Sequence, residues 1–483
     1  MKKFISLLLI VCAVAATLSF SACAKKQQTV SSYDIIATYD GESGTLTGTV
    51  DFTYYNCTDN EISELKFNLF GNAFRQDALY SPVSDAYSAR AYYAGKSYGS
   101  MTVEGVENCS AWNVGGEDEN ILSVTLISPV YPEQTASVKI SYTLILAKVN
   151  HRTGITANTV NLGNFYPVLC AYTTDGFAEC NYYSCGDPFL SECANYTVTL
   201  TMPLGFTAAA SGELISSTET ADAKKCTYSL NCARDFALVL SDCFQVETGN
   251  VNGVDVSYYY YKDENPQASL AVACESLEYF SDTFGGYTYP TLSVVQTGFC
   301  YGGMEYPALT MISDSLDGDT AAYTIVHENA HQWWYAMVGS DQLNCAWQDE
   351  GLAEYSSVMF FESHPDYNFT RTGLVGTATK AYRAYYSVYN QIFGDVNTGM
   401  TRNLKDFESD YEYANIAYNK GMIMFETLRQ SIGDEKFSAG LKKYFKNNLN
   451  KIATQEDLFG CFISAGVDLD GFFQSFIDGK IVI

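Results

Sequence analysis

The chain has 483 residues, which at roughly 150 per domain allows two large domains or three smaller ones. A hydrophobic fraction of 47% with 38 Tyr and 28 Phe excludes a disordered chain, and a net charge of -27 excludes nucleic-acid binding through a general basic surface. Only four histidines are present, His151, His327, His331 and His364, so any imidazole chemistry draws on these.

The N-terminus reads Met1-Lys2-Lys3, an apolar run from Phe4 to Phe20, then Ser21-Ala22-Cys23-Ala24: a charged region, a hydrophobic region and a small-residue cleavage zone. Residues 1–22 are therefore expected to be a signal peptide and residues 23–32 a short tether. An uncleaved anchor helix is disfavoured, because the run is short for a bilayer span and contains Ser and Thr. Ser21-Ala22-Cys23 resembles the lipobox of bacterial lipoproteins, with Phe20 in place of the usual Leu, and implies lipidation at Cys23 with a membrane tether. Ala22-Cys23-Ala24 also fits ordinary cleavage, which would give a freely secreted protein. Both readings place the chain outside a bacterial cell. Of the fifteen cysteines, removing Cys12 and Cys23 leaves thirteen, an odd number, so at least one thiol stays unpaired. Cys170, Cys180, Cys185 and Cys193 match no zinc-knot spacing and are expected to be structural.

Residues 33–261 read as a β-domain. Leu46 to Tyr54, Val138 to Leu144 and Tyr196 to Met202 alternate apolar and polar with period two, between Gly-, Asn- and Asp-rich turns, which predicts an antiparallel β-sandwich or saddle. The irregular stretch from Asn150 to Pro188 is expected to be packed loop. Residues 262–483 read as a mainly helical α+β domain. Leu270, Leu277, Phe280 and Phe284 share one helical face, Leu292 to Gln296 forms a strand, Gly302 to Pro307 a tight loop, and helices dominate from Ala321 onward.

Within that second half stands His327-Glu328-Asn329-Ala330-His331, an H-E-x-x-H on a predicted helix from Ala321 to Val338 ended by Gly339. Residues i and i+4 share a helix face, so both imidazoles can meet one zinc ion while Glu328 reaches a water on it. A catalytic zinc needs a third protein ligand and an open position. Glu350, with eighteen residues between it and His331, has the gluzincin spacing; Glu354, one turn on, is expected to lie on the surface or behind the ligands.

Together these motifs resemble the aminopeptidase N family of zinc metallopeptidases. Gly302-Gly303-Met304-Glu305-Tyr306 is similar to the family's G-x-M-E-N segment, with Tyr306 in place of Asn, and the resemblance implies that Gly302, Gly303 and Met304 contact the peptide backbone and Glu305 binds the substrate's α-amino group. Ala417-Tyr418-Asn419-Lys420-Gly421 resembles the family's Tyr-x-Lys-Gly segment, which implies that Tyr418 donates to the oxyanion. The implied fold is a β-domain followed by a thermolysin-like catalytic domain, and the implied cofactor is one Zn2+. The long helical C-terminal domain of many relatives has no counterpart here, so a more open site is expected. The family's β-domain Gln or Glu that helps fix the amine has no clear counterpart between Pro167 and Pro188.

The residue types imply metal-assisted peptide hydrolysis, in which Glu328 takes the proton of the attacking water and returns it to the leaving amine. Peptides are the expected substrates. An endopeptidase or oligopeptidase on the same zinc core is the alternative within proteases, and a non-catalytic surface peptide-binding protein is the alternative outside them.

Overall fold

The computed structural model describes residues 29–394, 396–462 and 469–480. The signal peptide and the Cys23 lipidation site expected from the sequence lie outside the described residues. The described residues from Ser31 onward form one compact unit.

A β-rich half comes first. Its largest sheet has seven strands, in the order Glu213–Glu219, Ala223–Ala233, Ala194–Pro203, Ser31–Asp40, Thr45–Tyr55, Thr135–Ile145, Ser100–Glu107. All neighbours pair antiparallel except Ser31–Asp40 with Ala194–Pro203, which run parallel with Tyr33 opposite Tyr196. The two-residue alternation seen in the sequence is realised directly: Tyr33, Ile35, Ala37 and Tyr39 point inward from one strand, and Val138, Ile140, Tyr142 and Leu144 from another. The rings of Tyr33 and Tyr196 stack at 4.9 Å. A four-stranded sheet built on Ile62–Asn68 and Ile121–Val130 lies beside it, and a second joins Thr207–Ala210, Leu238–Ser241, Val160–Leu162 and Thr153–Ile155.

A five-stranded sheet follows, in the order Gln245–Val251, Val254–Tyr260, Thr291–Thr297, Leu309–Ser313, Gly303–Met304. It joins residues on both sides of position 261, because Val254–Tyr260 pairs in parallel with Thr291–Thr297. Gly303–Met304, read from the sequence as a tight loop, is a short edge strand antiparallel to Leu309–Ser313, with Gly303 opposite Ile312 and Met304 opposite Met311.

Helices cover the rest. The motif helix, Gly318–Ala330, starts in an Asp317/Thr320 capping box and packs against the helix Pro266–Phe284 and against Trp347–Ser363. It ends earlier than the periodicity predicted. Beyond His331 the backbone widens to i→i+5 bonds, Ala336 N–H to the His331 carbonyl at 3.0 Å and Val338 N–H to that of Trp333 at 3.1 Å, and Trp334 leaves helical geometry. Three consecutive large rings cause this. Trp333, Trp334 and Tyr335 are all buried, with the Trp333 indole N–H donating to the Gly285 carbonyl and that of Trp334 to Ser356 Oγ, directions that one helical face cannot supply. No helix among the described residues is long and apolar enough to cross a membrane.

Candidate active site

The last turn of the motif helix brings His327 and His331 onto one face, with their Nε2 atoms 3.1 Å apart. Glu350 enters from the first turn of Trp347–Ser363, and its Oε2 lies 3.4 Å from His327 Nε2 and 3.3 Å from His331 Nε2. All three side chains are buried, and Oε2 of Glu350 accepts no hydrogen bond. Ligands about 2.05 Å from a tetrahedral zinc stand about 3.3 Å from one another. The three donor atoms therefore have the spacing of three corners of such a site, and an orphaned buried carboxylate oxygen among them fits a cation.

The surrounding groups orient these donors. His327 turns its Nδ1 to Glu354 Oε1 at 3.4 Å, and Tyr323 holds the other Glu354 oxygen with a 2.6 Å hydrogen bond. His331 Nδ1 faces the Trp334 carbonyl at 3.3 Å, supplied by the widened turn. His331 thus has its remote nitrogen held by an oxygen, the arrangement that aims Nε2 at a metal, while His327 Nδ1 faces the Glu354 carboxylate without a hydrogen bond formed. Glu354 stands behind His327.

Glu328 is buried between the motif helix and the edge strand. A β-carbon at Gly303 would overlap its carboxylate, so glycine is needed there for the strand to reach Glu328. Two residues on, Glu305 is buried with its Oε1 3.3 Å from the Gln342 amide nitrogen, and ligand atoms of Glu305, Glu328 and His331 fall within 4.8 Å of one another. Burial first, and then the neighbouring Asp187, raise the Glu305 carboxyl above the ordinary carboxylate range. Met304 turns the other way and receives the Arg152 Nε–H on its sulfur at 3.0 Å. Tyr306 is fully buried, and its hydroxyl donates to Asn164 Oδ1 at 2.9 Å inside the β-rich half. Gly302 lines the cleft.

Tyr418 belongs to a turn of wide helix, Ala414–Lys420, held close to the ligand helix by contact between Gly421 and Gly351, where a β-carbon on Gly351 would stand 2.9 Å from the Gly421 Cα. Its hydroxyl donates a short hydrogen bond to Glu350 Oε1, and Tyr413 approaches the same oxygen at 3.4 Å. Tyr418 also lies parallel to His327, with ring centres 5.8 Å apart. Lys420 donates to the Thr398 carbonyl at 2.6 Å and that of Phe476 at 2.7 Å, which ties this turn to the end of the chain.

Sequence reasoning did not reach Asp187, Arg152, Asp349 or Gln342. Arg152 and Asp187 form a buried 2.5 Å ion pair. They come from the irregular stretch expected to be packed loop, and they line a cavity of ≈ 340 Å³ together with His327, Glu328 and Tyr418. Asp349 accepts from Gln342 at 2.6 Å beside the ligand Glu350. No periodicity marks these residues; only the acidic pair Asp349-Glu350 was visible in the sequence. Asp187, Glu305, Glu328, Asp349 and Glu350 are five buried carboxylates, and Arg152 is the guanidinium that acts on Asp187 and Glu305, an imbalance that a divalent cation would relieve. His151 is buried against the Pro82 carbonyl and His364 packs on Phe360, both outside the cluster. The thirteen cysteines among the described residues are all thiols in this structure, with Cys170, Cys180, Cys185 and Cys193 buried.

Residues 268–476 match the Peptidase family M1 domain. Aminopeptidase M1-B of Oryza sativa subsp. japonica is 26% identical over 285 residues, 55% of this chain and 32% of that protein. Leukotriene A-4 hydrolase of Xenopus laevis is 28% identical over 193 residues, 38% of this chain and 30% of that protein. The match thus spans about a third of the length of these curated relatives. The solved M1 zinc metallopeptidase of Deinococcus radiodurans has the same fold, with a TM-score of 0.66 and 19% identity over 95% of this chain and 96% of that one. A mutant of it bound to a Tyr-Ser-Ala substrate superposes with a TM-score of 0.64, 18% identity and 95% and 96% coverage. The M1 match covers residues 268–476, which carry the zinc-type cluster, and by that domain the chain is a zinc metallopeptidase.

Proposed function

We propose that the chain is an exported zinc aminopeptidase that releases single residues from the N-termini of peptides. The observation that carries this is the closeness of Glu305 to the general-base position: Glu305, Glu328 and His331 present their atoms within 4.8 Å of one another. In a peptide the α-amino nitrogen is only about 2.5 Å from the first carbonyl carbon. An enzyme that cuts one residue from the end therefore needs its amine-binding acid almost in contact with its base, and Glu305 has that position. Asp187, which lines the cavity from the β-rich half, adds a second carboxylate whose charge acts on Glu305.

Zinc held by His327, His331 and Glu350 would supply the Lewis acid for water activation and carbonyl polarisation. Glu328 accepts the water proton and returns it to the leaving amine. Glu305 holds the ammonium group, and Gly302 and Gly303 let the substrate backbone lie along the edge strand. The Tyr418 hydroxyl, beside His327, donates to the carbonyl oxygen as negative charge develops there. The N-terminal sequence supports export, with Cys23 as the lipid site of a surface-tethered form and free secretion as the other outcome.

A second reading, a zinc endopeptidase, is favoured by one feature: Asp187 is engaged by Arg152 at 2.5 Å, which leaves Glu305 as the less committed amine anchor. Hydrolysis of peptides with free and acetylated N-termini, with zinc-loaded Glu328→Gln as control, separates the two. Stepwise release from free N-termini alone supports the aminopeptidase, internal cuts in acetylated peptides support the endopeptidase, and no cleavage by the zinc-loaded wild type leaves a peptide-binding protein.

A further inference from the structure

We propose that Arg90 receives a carboxylate on the leaving-group side of the substrate, so that short peptides carrying a negative charge two or three residues from the N-terminus are the preferred class. This rests on the aminopeptidase reading above. The cavity of ≈ 340 Å³ is at the small end for ligand sites, and its lining is mostly acidic or aromatic. Apart from Glu328, its carboxylates already have partners. Asp187 pairs with Arg152, Glu354 with Tyr323 and His327, and Asp410 accepts from Ser84 Oγ at 2.5 Å and Cys185 Sγ at 3.6 Å.

Arg90 differs from Arg152. It is exposed in the cleft, donates from Nη2 to Ser315 Oγ at 2.9 Å, stands 5.9 Å from the Tyr87 ring centre, and forms no ion pair among the described residues. A guanidinium anchored by a hydroxyl and an aromatic ring, with donors left over, is suited to bidentate capture of a carboxylate.

The direction of the chain places that capture. Tyr87 touches Tyr301, with ring centres 4.8 Å apart, so Arg90 lies at the Tyr301 end of the segment running to Glu305. Along this segment Glu305 marks the amine, Gly303 with Glu328 marks the bond to be cut, and Tyr301 marks the residues beyond it. Gly303–Met304 is extended while Tyr301 and Gly302 bend, so the segment spans at most the roughly 13 Å of four extended steps. A substrate amine at Glu305 therefore brings a charge two or three residues later toward Arg90. Two sources fit: the C-terminal carboxylate of a tripeptide, or an acidic side chain in a longer peptide.

The test uses the zinc-loaded full chain and four substrates: Ala-Ala-Ala, its C-terminal amide, Ala-Ala-Asp amide and penta-alanine amide. A carboxylate bound by a charged donor predicts a kcat/KM advantage of about tenfold or more over the uncharged amide, carried by KM. Advantage for Ala-Ala-Ala identifies the C-terminus as the source, and advantage for Ala-Ala-Asp amide identifies the side chain. In either case Arg90→Gln should bring the ratio close to one, and Arg90→Lys should restore part of it. A ratio near one in the wild type, or a tenfold ratio that survives in Arg90→Gln, overturns the proposal. Calorimetric Kd values for the same peptides on zinc-loaded Glu328→Gln read the preference without turnover. If the wild type releases no first residue while this binding preference stands, the aminopeptidase reading fails and the carboxylate site does not.

Discussion

Gly303 and Glu328 are in contact so close that no side chain can be inserted between them: the space a β-carbon would take at Gly303 is filled by the Glu328 carboxylate. The edge strand and the general base are thus fitted to each other. Gly303→Ala should displace one of them and lower kcat by about 10² or more, within the range attributed to a positioned general base, while zinc content measured by atomic absorption stays at that of the wild type. Unchanged kcat would mean that Glu328 has room to move without loss.

Glu354 should act through His327. Replacing it by Gln removes the anionic partner of Nδ1 and leaves the three donors in place, so zinc affinity should fall by about 10- to 100-fold. Competition with a chelator of known affinity measures this. An unaltered Kd for zinc would show that Tyr323 alone fixes the ring.

Asp235 predicts a pH effect on stability. It is fully buried, accepts from Asn164, Tyr166 and the Phe236 N–H, and burial raises its carboxyl from the ordinary 3.8 to about 7. The folded state holds this proton more tightly than the unfolded one, so the favourable contribution is fully present below pH 3.8 and is lost as pH rises through about 7. The difference between 3.8 and about 7 corresponds to on the order of 4 kcal/mol. Urea midpoints of wild type and Asp235→Asn, compared from pH 5 to pH 8, should move apart with the wild type losing stability relative to the variant. Parallel curves would reject the assignment.

Arg234 joins the two halves by donating to three carbonyls: Ser191 at 2.9 Å, Tyr335 at 2.8 Å and Lys451. Arg234→Ala strips two buried acceptors and one half-buried acceptor of their donor and should cost about 3 kcal/mol in urea unfolding. Because Tyr335 lies four residues beyond His331, zinc affinity should weaken in the same variant. A loss below about 0.5 kcal/mol would mean that other contacts hold the interface.

The parts of this site that obey a period or a fixed spacing were legible in the sequence. His327 and His331 are one helical turn apart, Glu350 is at a fixed distance along the chain, and the strands around Val50 and Ile140 alternate. The rest depended on long-range packing. Asp187 and Arg152 come from a stretch without period, and the cleft receives them only because sheets distant in sequence fold beside it. The premature end of the motif helix has no signature in the sequence because Trp333, Trp334 and Tyr335 are each compatible with a helix singly. Only their burial in divergent directions opens the backbone.

Glu305 and Tyr306 are neighbours whose side chains leave the backbone in opposite directions, one toward the zinc-type cluster and the other into the Asn164 and Asp235 network of the β-rich half. On the proposed aminopeptidase reading, the distance from a peptide's first atom to the bond that breaks is gauged by a ruler with its far end clamped in another layer of the molecule. Where the cut falls becomes a property of how the two halves are seated, and a residue that never meets the substrate keeps that measure true.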